Sequence, residues 1–222
     1  MEKREFKDRL FERFAAVAKA LASPKRIELL ELLAQTERTV EWLAQATGMS
    51  VANTSQHLQV LRGAQLVDAR KEGLYVHYRL ASPAVHDVHR ALRAVAEERD
   101  AEVERLARSF FGDREGLEAV AMTDLLARAR SGEVVVIDVR PAEEFAAAHV
   151  AGARSVPLSA LDELAGQLSG EVTVVAYCRG PYCVLADEAV RRLRERGVDA
   201  RRMDGGLPEW RAAGLPVERG RG

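Results

Sequence analysis

The chain has 222 residues, 47% of them hydrophobic, and a formal net charge of −1. This length suits one large domain or two of ordinary size, and the apolar content argues against wholesale disorder. No apolar run approaches the length of a bilayer span, and the polar start lacks the apolar segment of a signal peptide. The two cysteines, Cys178 and Cys183, are too few and too close for a disulfide framework. These features predict a cytoplasmic protein without a membrane partner.

Four helices are predicted at the start of the chain. Apolar residues recur at helical spacing over 6–22, and Ser23 is the predicted N-cap of a second helix. Thr39 begins a short third helix that Gly48 ends, and Ser50 begins a fourth. The third and fourth helices together have the spacing of a tight helix pair.

The pattern then changes to the alternation of a β-hairpin. Residues 68–71 and 74–80 form the predicted strands, joined by a turn at Glu72-Gly73, with Leu74 on the half-buried face. A single long helix with one apolar stripe is predicted from Pro83 to Arg108. Helices, a hairpin wing and a closing helix predict a mainly α, winged helix-turn-helix domain.

The second helix of a helix-turn-helix lies in the major groove and presents polar side chains to base edges. Asn and Gln side chains form hydrogen bonds with adenine, and Ser and Thr form them with bases or phosphates. Basic residues on the wing form ion pairs with phosphates. The predicted partner is therefore double-stranded operator DNA, and the alternative is a helical bundle with a solvated polar face. The predicted DNA contacts are Ser50, Asn53, Thr54, Ser55, Gln56, His57 and Gln59 on the helix, and Arg70, Lys71 and Arg79 on the wing.

Three segments of this half, SPKRIELLELL, SVANTSQHLQVLRGAQLV and RKEGLYVHYRL, resemble the ArsR family of small repressors. The resemblance implies a homodimer that pairs through the first and last helices of the domain. Such a dimer would place two recognition helices on a palindromic site.

Many ArsR relatives sense metals, and this chain departs from both of their ligand patterns. The segment aligned with the cysteine-containing motif is TVEWLA, which has no Cys. The alternative metal site of these relatives lies on the last helix and uses an Asp and three other ligands, mostly His. Asp87 and His89 match its first half, but residues 100–104, where its second half falls, contain no His. We therefore predict no metal and no cofactor, with repression through a metal bound by His86, Asp87 and His89 as an alternative.

Beyond a predicted linker at 111–116, short apolar strands alternate with helices. This alternation predicts an α/β fold with a parallel-rich sheet between helices. The predicted domains are residues 1–110 and 117–219.

One strand of the second domain ends at Cys178, and a helix starts near Val184. Backbone N–H groups and the positive end of that helix stabilise an anionic sulfur there, so a thiolate could attack sulfane sulfur and hold a persulfide. Arg179 adds a positive charge. The predicted catalytic residues are Cys178, Arg179, Gly180, Pro181, Tyr182 and Cys183. Cys183 either resolves the persulfide or merely lines the loop.

Four further segments, IDVRPAEEF, HVAGARSVP, YCRGPYC and MDGGLPEWRAAGLP, resemble rhodanese-like domains in order and spacing. The resemblance implies that Cys178 is the sulfur-carrying nucleophile and that residues 179–183 form its cradle. It also assigns Asp138, Arg140 and His149 to a supporting scaffold. Phosphatases and arsenate reductases of this fold require an Arg six residues after the Cys, where this chain has Val184.

The sequence therefore predicts a repressor that senses or transfers sulfane sulfur through Cys178. One alternative is a sulfurtransferase, using thiosulfate or a persulfide as donor, that regulates its own gene. The metal-responsive repressor is the second alternative.

Overall fold

A computed structural model describes residues 1–112, 119–167 and 172–220. It divides into two compact units, Met1–Arg93 and Ala94–Gly222. Residues 113–116 of the predicted linker lie outside the described residues, and the predicted domain boundaries stay a prediction. In the described part of the chain, no helix is long and apolar enough to cross a membrane.

Four helices open the first unit: α1 (Lys3–Leu21), α2 (Pro24–Leu33), α3 (Val40–Thr47) and α4 (Val51–Gly63). The Thr39 hydroxyl accepts a hydrogen bond from the Trp42 N–H at 3.3 Å, and the Ser50 hydroxyl accepts one from the Asn53 N–H at 3.2 Å. Both predicted N-caps are therefore confirmed. Ser23 is the N-cap residue of α2, but its side chain makes no capping hydrogen bond.

The wing is the hairpin β2 (Val67–Glu72) and β3 (Tyr75–Leu80), and β1 (Arg38–Thr39) pairs antiparallel with β3. The predicted turn is wrong by one residue. Leu74 lies in the turn rather than on the strand, and it is 93% exposed. Gly73 has a φ of +59°, a conformation that glycine adopts without steric cost, and this sets the turn there.

The predicted closing helix is two helices, α5 (Pro83–Arg99) and α6 (Ala101–Phe111). Asp100 between them has extended backbone angles, φ −116° and ψ 98°, and its carboxylate accepts a hydrogen bond from the Glu102 N–H at 3.0 Å. Asp100 is thus an N-cap, a role for which Asp is favoured. The prediction of one continuous helix is wrong because this cap begins a new one.

The core of the first unit is made by leucines that α2, α3 and α4 direct inwards. Leu29, Leu30, Leu43, Leu58 and Leu61 are each at most 1% exposed. Burying a leucine side chain contributes about 1.5–3 kcal/mol. These contacts fix α4 against α3 and leave the polar face of α4 outside.

The second unit contains a sheet of five strands: β4 (Ala119–Val120), β5 (Val134–Asp138), β7 (Arg154–Ser155), β8 (Thr173–Cys178) and β9 (Ala200–Gly206). All of its pairs are parallel, and the strand order is β4-β9-β8-β5-β7. The predicted α/β fold is confirmed. A short antiparallel pair, β6 (His149–Val150) with β10 (Val217–Glu218), was not predicted.

Helices cover both faces of this sheet: α7 (Met122–Arg130), α8 (Ala142–Ala147), α9 (Leu161–Gln167), α10 (Val184–Glu195) and α11 (Leu207–Ala212). One apolar layer includes Leu161 of α9 and Val190 of α10. The other includes Leu125 of α7, Phe145 of α8 and Trp210 of α11. The central strand β8 lies between these layers and ends at Cys178, at the edge where parallel α/β sheets place their sites.

Candidate functional site

The outer face of α4 carries most of the predicted base contacts. Asn53, Gln56 and Gln59 are exposed, and Ser55 and His57 are partly exposed. Ser50 is exposed as well, and its hydroxyl caps the helix. The helix therefore presents amide and hydroxyl groups on one solvent-facing surface, as readout of base edges requires.

Thr54 does not belong to this surface. It is 0% exposed, and its hydroxyl donates a hydrogen bond to the Ser50 carbonyl at 3.0 Å. The first turn of α4 directs Thr54 into the core, so the prediction of Thr54 as a DNA contact is wrong.

The wing arginines are already paired with carboxylates. The Arg70 guanidinium lies 2.6 Å from Glu37 and 2.6 Å from Glu72, and the hydrogen bond to Glu37 is the main cause of a raised Arg70 pKa. Arg79 lies 3.1 Å from Asp68. A phosphate that binds to these arginines must therefore displace the carboxylates or share the guanidinium groups with them.

The predicted metal alternative concerns the first turns of α5. The rings of His86 and His89 stack at 6.1 Å between centroids, His89 is buried, and Asp87 is exposed. Within residues 1–112, 119–167 and 172–220, no group of three or more His, Cys, Asp or Glu residues is arranged to hold a metal.

The second candidate site is the loop that follows β8. Cys178 is 1% exposed and is joined to Cys183 by a disulfide, with 6.2 Å between the Cα atoms. The Cys183 N–H donates to the Gly180 carbonyl at 3.1 Å, which closes the turn, and Cys183 is the N-cap residue of α10. Gly180 is buried, Pro181 is partly buried, and Tyr182 is 38% exposed. The loop thus brings the two sulfur atoms together at the amino end of a helix.

Arg179 makes an ion pair that sequence analysis missed. Its Nη2 lies 2.6 Å from Oε1 of Glu144, and its Nε lies 3.1 Å from Oε2. Glu144 is 0% exposed, on α8. The predicted positive charge of the loop is therefore matched by a buried negative charge. The signal was present in the segment RPAEEF, but nothing local distinguishes Glu144 from the adjacent Glu143.

The proposed scaffold residues form a buried network beneath the loop. Asp138 and Arg140 are both 0% exposed and are paired at 2.6 Å, and Arg140 Nη2 also donates to the Ala148 carbonyl at 2.8 Å. His149 Nδ1 lies 2.8 Å from the Phe145 carbonyl, and its ring stacks on Phe145. These bonds tie the end of β5 to α8 and β6.

Tyr177, next to Cys178, belongs to the same network. Its hydroxyl accepts a hydrogen bond from the Val150 N–H at 3.0 Å. Burial raises the pKa of Tyr177 well above its usual value, and the negative charge of Asp138 adds to that increase. Tyr177 is therefore neutral at physiological pH and acts as a structural bridge.

Gly206 is a second residue that sequence analysis did not assign to the site. It pairs with Cys178 across β8 and β9, and a Cβ at this position would lie 2.5 Å from the Arg179 carbonyl carbon and the Gly180 nitrogen. The loop therefore packs directly on the backbone of Gly206, and any side chain there would displace it.

Comparisons with known proteins agree with both halves of this structure. Residues 23–69 match the family model for bacterial regulatory proteins of the arsR family, and residues 121–213 match the rhodanese-like domain. HTH-type transcriptional regulator Rv0324 of Mycobacterium tuberculosis is 44% identical over 211 residues, which cover 95% of this chain and 92% of Rv0324. The chain therefore belongs to the ArsR family of transcriptional regulators and carries a rhodanese-like domain.

Two other similar proteins match the N-terminal half. The uncharacterized HTH-type transcriptional regulator Rv0081 of M. tuberculosis is 39% identical over 87 residues, covering 39% of this chain and 76% of Rv0081. The solution NMR structure of the homodimeric winged helix-turn-helix DNA-binding domain of Mb0332 from Mycobacterium bovis is 41% identical, with a TM-score of 0.42. It covers 45% of this chain and 91% of that fragment.

Proposed function

We propose that this regulator is a cytoplasmic repressor, binds operator DNA as a homodimer, and changes its operator affinity when sulfane sulfur reaches Cys178. One observation carries the sulfur part of the proposal. Both cysteines of the chain lie in one loop at the end of β8, close enough to form a bond. A nucleophile and a second thiol at bonding distance are what persulfide formation and resolution require.

The chemistry starts from the reduced pair. The Cys178 thiolate attacks a sulfane sulfur, the donor's S–S bond breaks, and Cys178 carries a persulfide. The Cys183 thiol then attacks the Cys178 sulfur, and the outer sulfur leaves as HS⁻ while the Cys178–Cys183 disulfide forms. The departing sulfur takes up the proton of Cys183, so atoms and charge balance. A dithiol reductant returns the disulfide to two thiols.

The DNA part of the proposal rests on the polar face of α4 and on the wing. Exposed amides on Asn53, Gln56 and Gln59 suit adenine edges, and Lys71 on the wing is exposed for a phosphate. Family membership supports a regulator of transcription. A coupling free energy of about 1–3 kcal/mol between the two sites would change operator occupancy appreciably.

The test is operator binding with and without a polysulfide donor, using reduced wild-type protein and Cys178→Ser. The operator is the fragment that the wild type selects from a random DNA pool. We expect the donor to weaken binding by about tenfold in the wild type and to leave Cys178→Ser unchanged.

The second candidate function is a sulfurtransferase that regulates its own gene. The presence of Cys178 in a rhodanese-like domain favours it. Equal DNA binding by both proteins with and without donor, together with turnover to a thiol acceptor, would establish this enzyme and contradict the sensor.

A further inference from the structure

The loop of residues 178–183, called the sulfur loop below, has a charge balance that bears on which sulfur donor it accepts. Arg179 is the one formally charged residue among residues 178–183. Both its Nε and its Nη2 are engaged by Glu144, at 3.1 and 2.6 Å. The arginine fork therefore meets the carboxylate with two donors, which is the strong form of this ion pair.

The burial of Glu144 holds Arg179 in place. Glu144 is 0% exposed, and the next guanidinium, that of Arg140, lies 4.0 Å away. Moving Arg179 towards a bound anion would leave the Glu144 carboxylate buried without its closest partner, which is strongly unfavourable. Arg140 is itself paired with Asp138 at 2.6 Å. The four charges of Asp138, Arg140, Glu144 and Arg179 sum to zero.

With Arg179 neutralised, an anion at Cys178 is stabilised by backbone N–H groups and by the amino end of α10. The end of a helix is equivalent to roughly half a positive charge. The gain from this field doubles for a dianion, but the cost of taking an ion out of water grows with the square of its charge, so the buried loop suits a thiolate or a persulfide anion better than thiosulfate.

We propose that the Arg179–Glu144 pair selects the donor, so that Cys178 takes sulfur from singly charged or neutral persulfides in preference to dianionic thiosulfate. The inference rests on the proposed function, since it names the donor class of the same site. With hydrogen disulfide, the Cys178 thiolate attacks HSS⁻, the S–S bond breaks, and the products are the Cys178 persulfide anion and HS⁻. With thiosulfate, the same attack releases sulfite.

The experiment uses the full chain with Cys183→Ser, so that the persulfide is not resolved, after reduction with a dithiol. The rate of persulfide formation on Cys178 is measured by mass spectrometry with HSS⁻ and with thiosulfate. Because the two donors differ in intrinsic reactivity, the quantity compared is the thiosulfate-to-HSS⁻ rate ratio in each variant.

Glu144→Gln removes the negative charge that neutralises the Arg179 guanidinium. We therefore expect the thiosulfate-to-HSS⁻ rate ratio to rise by about tenfold. Adding Arg179→Gln to Glu144→Gln removes the positive charge as well and is expected to return the ratio to the starting value. An unchanged ratio in folded Glu144→Gln would overturn the inference.

A second measurement leaves Glu144 intact and guards against misfolding of the variant. Sulfate carries the charge and tetrahedral shape of thiosulfate, and at fixed ionic strength we expect it to leave the alkylation rate of Cys178 unchanged in the same Cys183→Ser protein. Protection by sulfate would show a dianion site and overturn the inference alone. If Cys178 accepts sulfur from neither donor, the proposed function fails first, and the inference fails with it.

Discussion

At the residue scale, the sulfur loop is constrained most closely by a glycine. The backbone of Gly206 approaches the loop so tightly that an added Cβ would lie 2.5 Å from the Gly180 nitrogen and 2.6 Å from the Cys178 oxygen. Its N–H donates to the Glu209 carboxylate at 3.0 Å, which fixes the start of α11. Gly206 cannot move aside without breaking its hydrogen bond to Glu209, and the loop cannot move without breaking the hydrogen bond from the Cys183 N–H to the Gly180 carbonyl.

We expect Gly206→Ala to destabilise the protein by about 1–3 kcal/mol, because the new methyl group clashes with backbone that cannot relax. The rate of sulfur transfer to Cys178 should fall with it, since the loop must shift. The measurements are urea unfolding and persulfide formation by mass spectrometry.

The matched control for this substitution is Gly166→Ala. Gly166 lies in α9, where an added Cβ meets nothing within 4 Å. Alanine there should stabilise the protein by roughly 0.5–1 kcal/mol through its helix propensity. Equal effects of the two substitutions would contradict the close packing of the loop on Gly206.

Single residues also show what the sequence could reveal about the site. The positions of Cys178 and Cys183 follow from a strand and a helix that are adjacent in the chain. The Arg179–Glu144 pair joins residues 35 positions apart, and a local pattern carries no information about such a contact. Thr54 lies off the apolar stripe of α4, which predicted it on the polar face, but its hydroxyl bonds to the Ser50 carbonyl and allows the side chain to be buried.

At the scale of elements, α4 has two chemically distinct faces. Leu58 and Leu61 are 0% exposed against the core, while Asn53 and Gln56 are exposed on the outer face. The apolar face sets the orientation of the helix, and that orientation determines which amides are presented to DNA.

We expect Asn53→Ala and Gln56→Ala each to weaken operator binding by about 1–3 kcal/mol, because each removes an exposed amide that we propose contacts a base. Fluorescence anisotropy with the selected operator measures the effect. The control is Gln167→Ala, which removes an exposed amide from α9 in the other unit. Retention of full affinity by both α4 variants would exclude this face as the DNA contact.

Elements with strong local signals were predicted well, and those without were not. Thr39 and Ser50 begin α3 and α4 as their capping chemistry requires. The break at Asp100 was missed because the apolar stripe continues across it from α5 into α6. The β6–β10 pair was missed because each strand has two residues and its partner lies far along the chain.

At the scale of the whole molecule, the helices α1 and α5 leave apolar side chains exposed. Phe11 and Phe14 of α1 are 61% and 58% exposed, and Leu92 and Val95 of α5 are 42% and 60% exposed. The proposed homodimer pairs through the first helix and the predicted last helix of the N-terminal domain, which are α1 and the segment from α5 into α6. A second copy of the chain would remove both faces from water.

We expect Phe14→Glu to convert the dimer to a monomer, because it places a charge in the apolar face of α1. Sedimentation velocity measures the change. The matched control is Leu74→Glu at the tip of the wing, where the native side chain is 93% exposed. A Phe14→Glu protein that sediments as a dimer would exclude α1 from the interface.

The strand order of the five-stranded sheet could not be predicted from the sequence. Alternating strands and helices predicted parallel pairing, but β4, which comes first in the chain among the five strands of this sheet, pairs with β9 rather than with β5. Nothing in either strand's own residues specifies its partner, so only the class of the fold was predictable.

The short span of the Cys178–Cys183 bond has a consequence for thermal measurements. The bond joins residues five positions apart, so it removes little freedom from the unfolded chain. The chain-entropy estimate for so small a ring is about 2 kcal/mol, against roughly 4.7 kcal/mol for one of a hundred residues. We therefore expect that reducing this bond lowers the melting temperature less than reducing a bond that closes a long loop would.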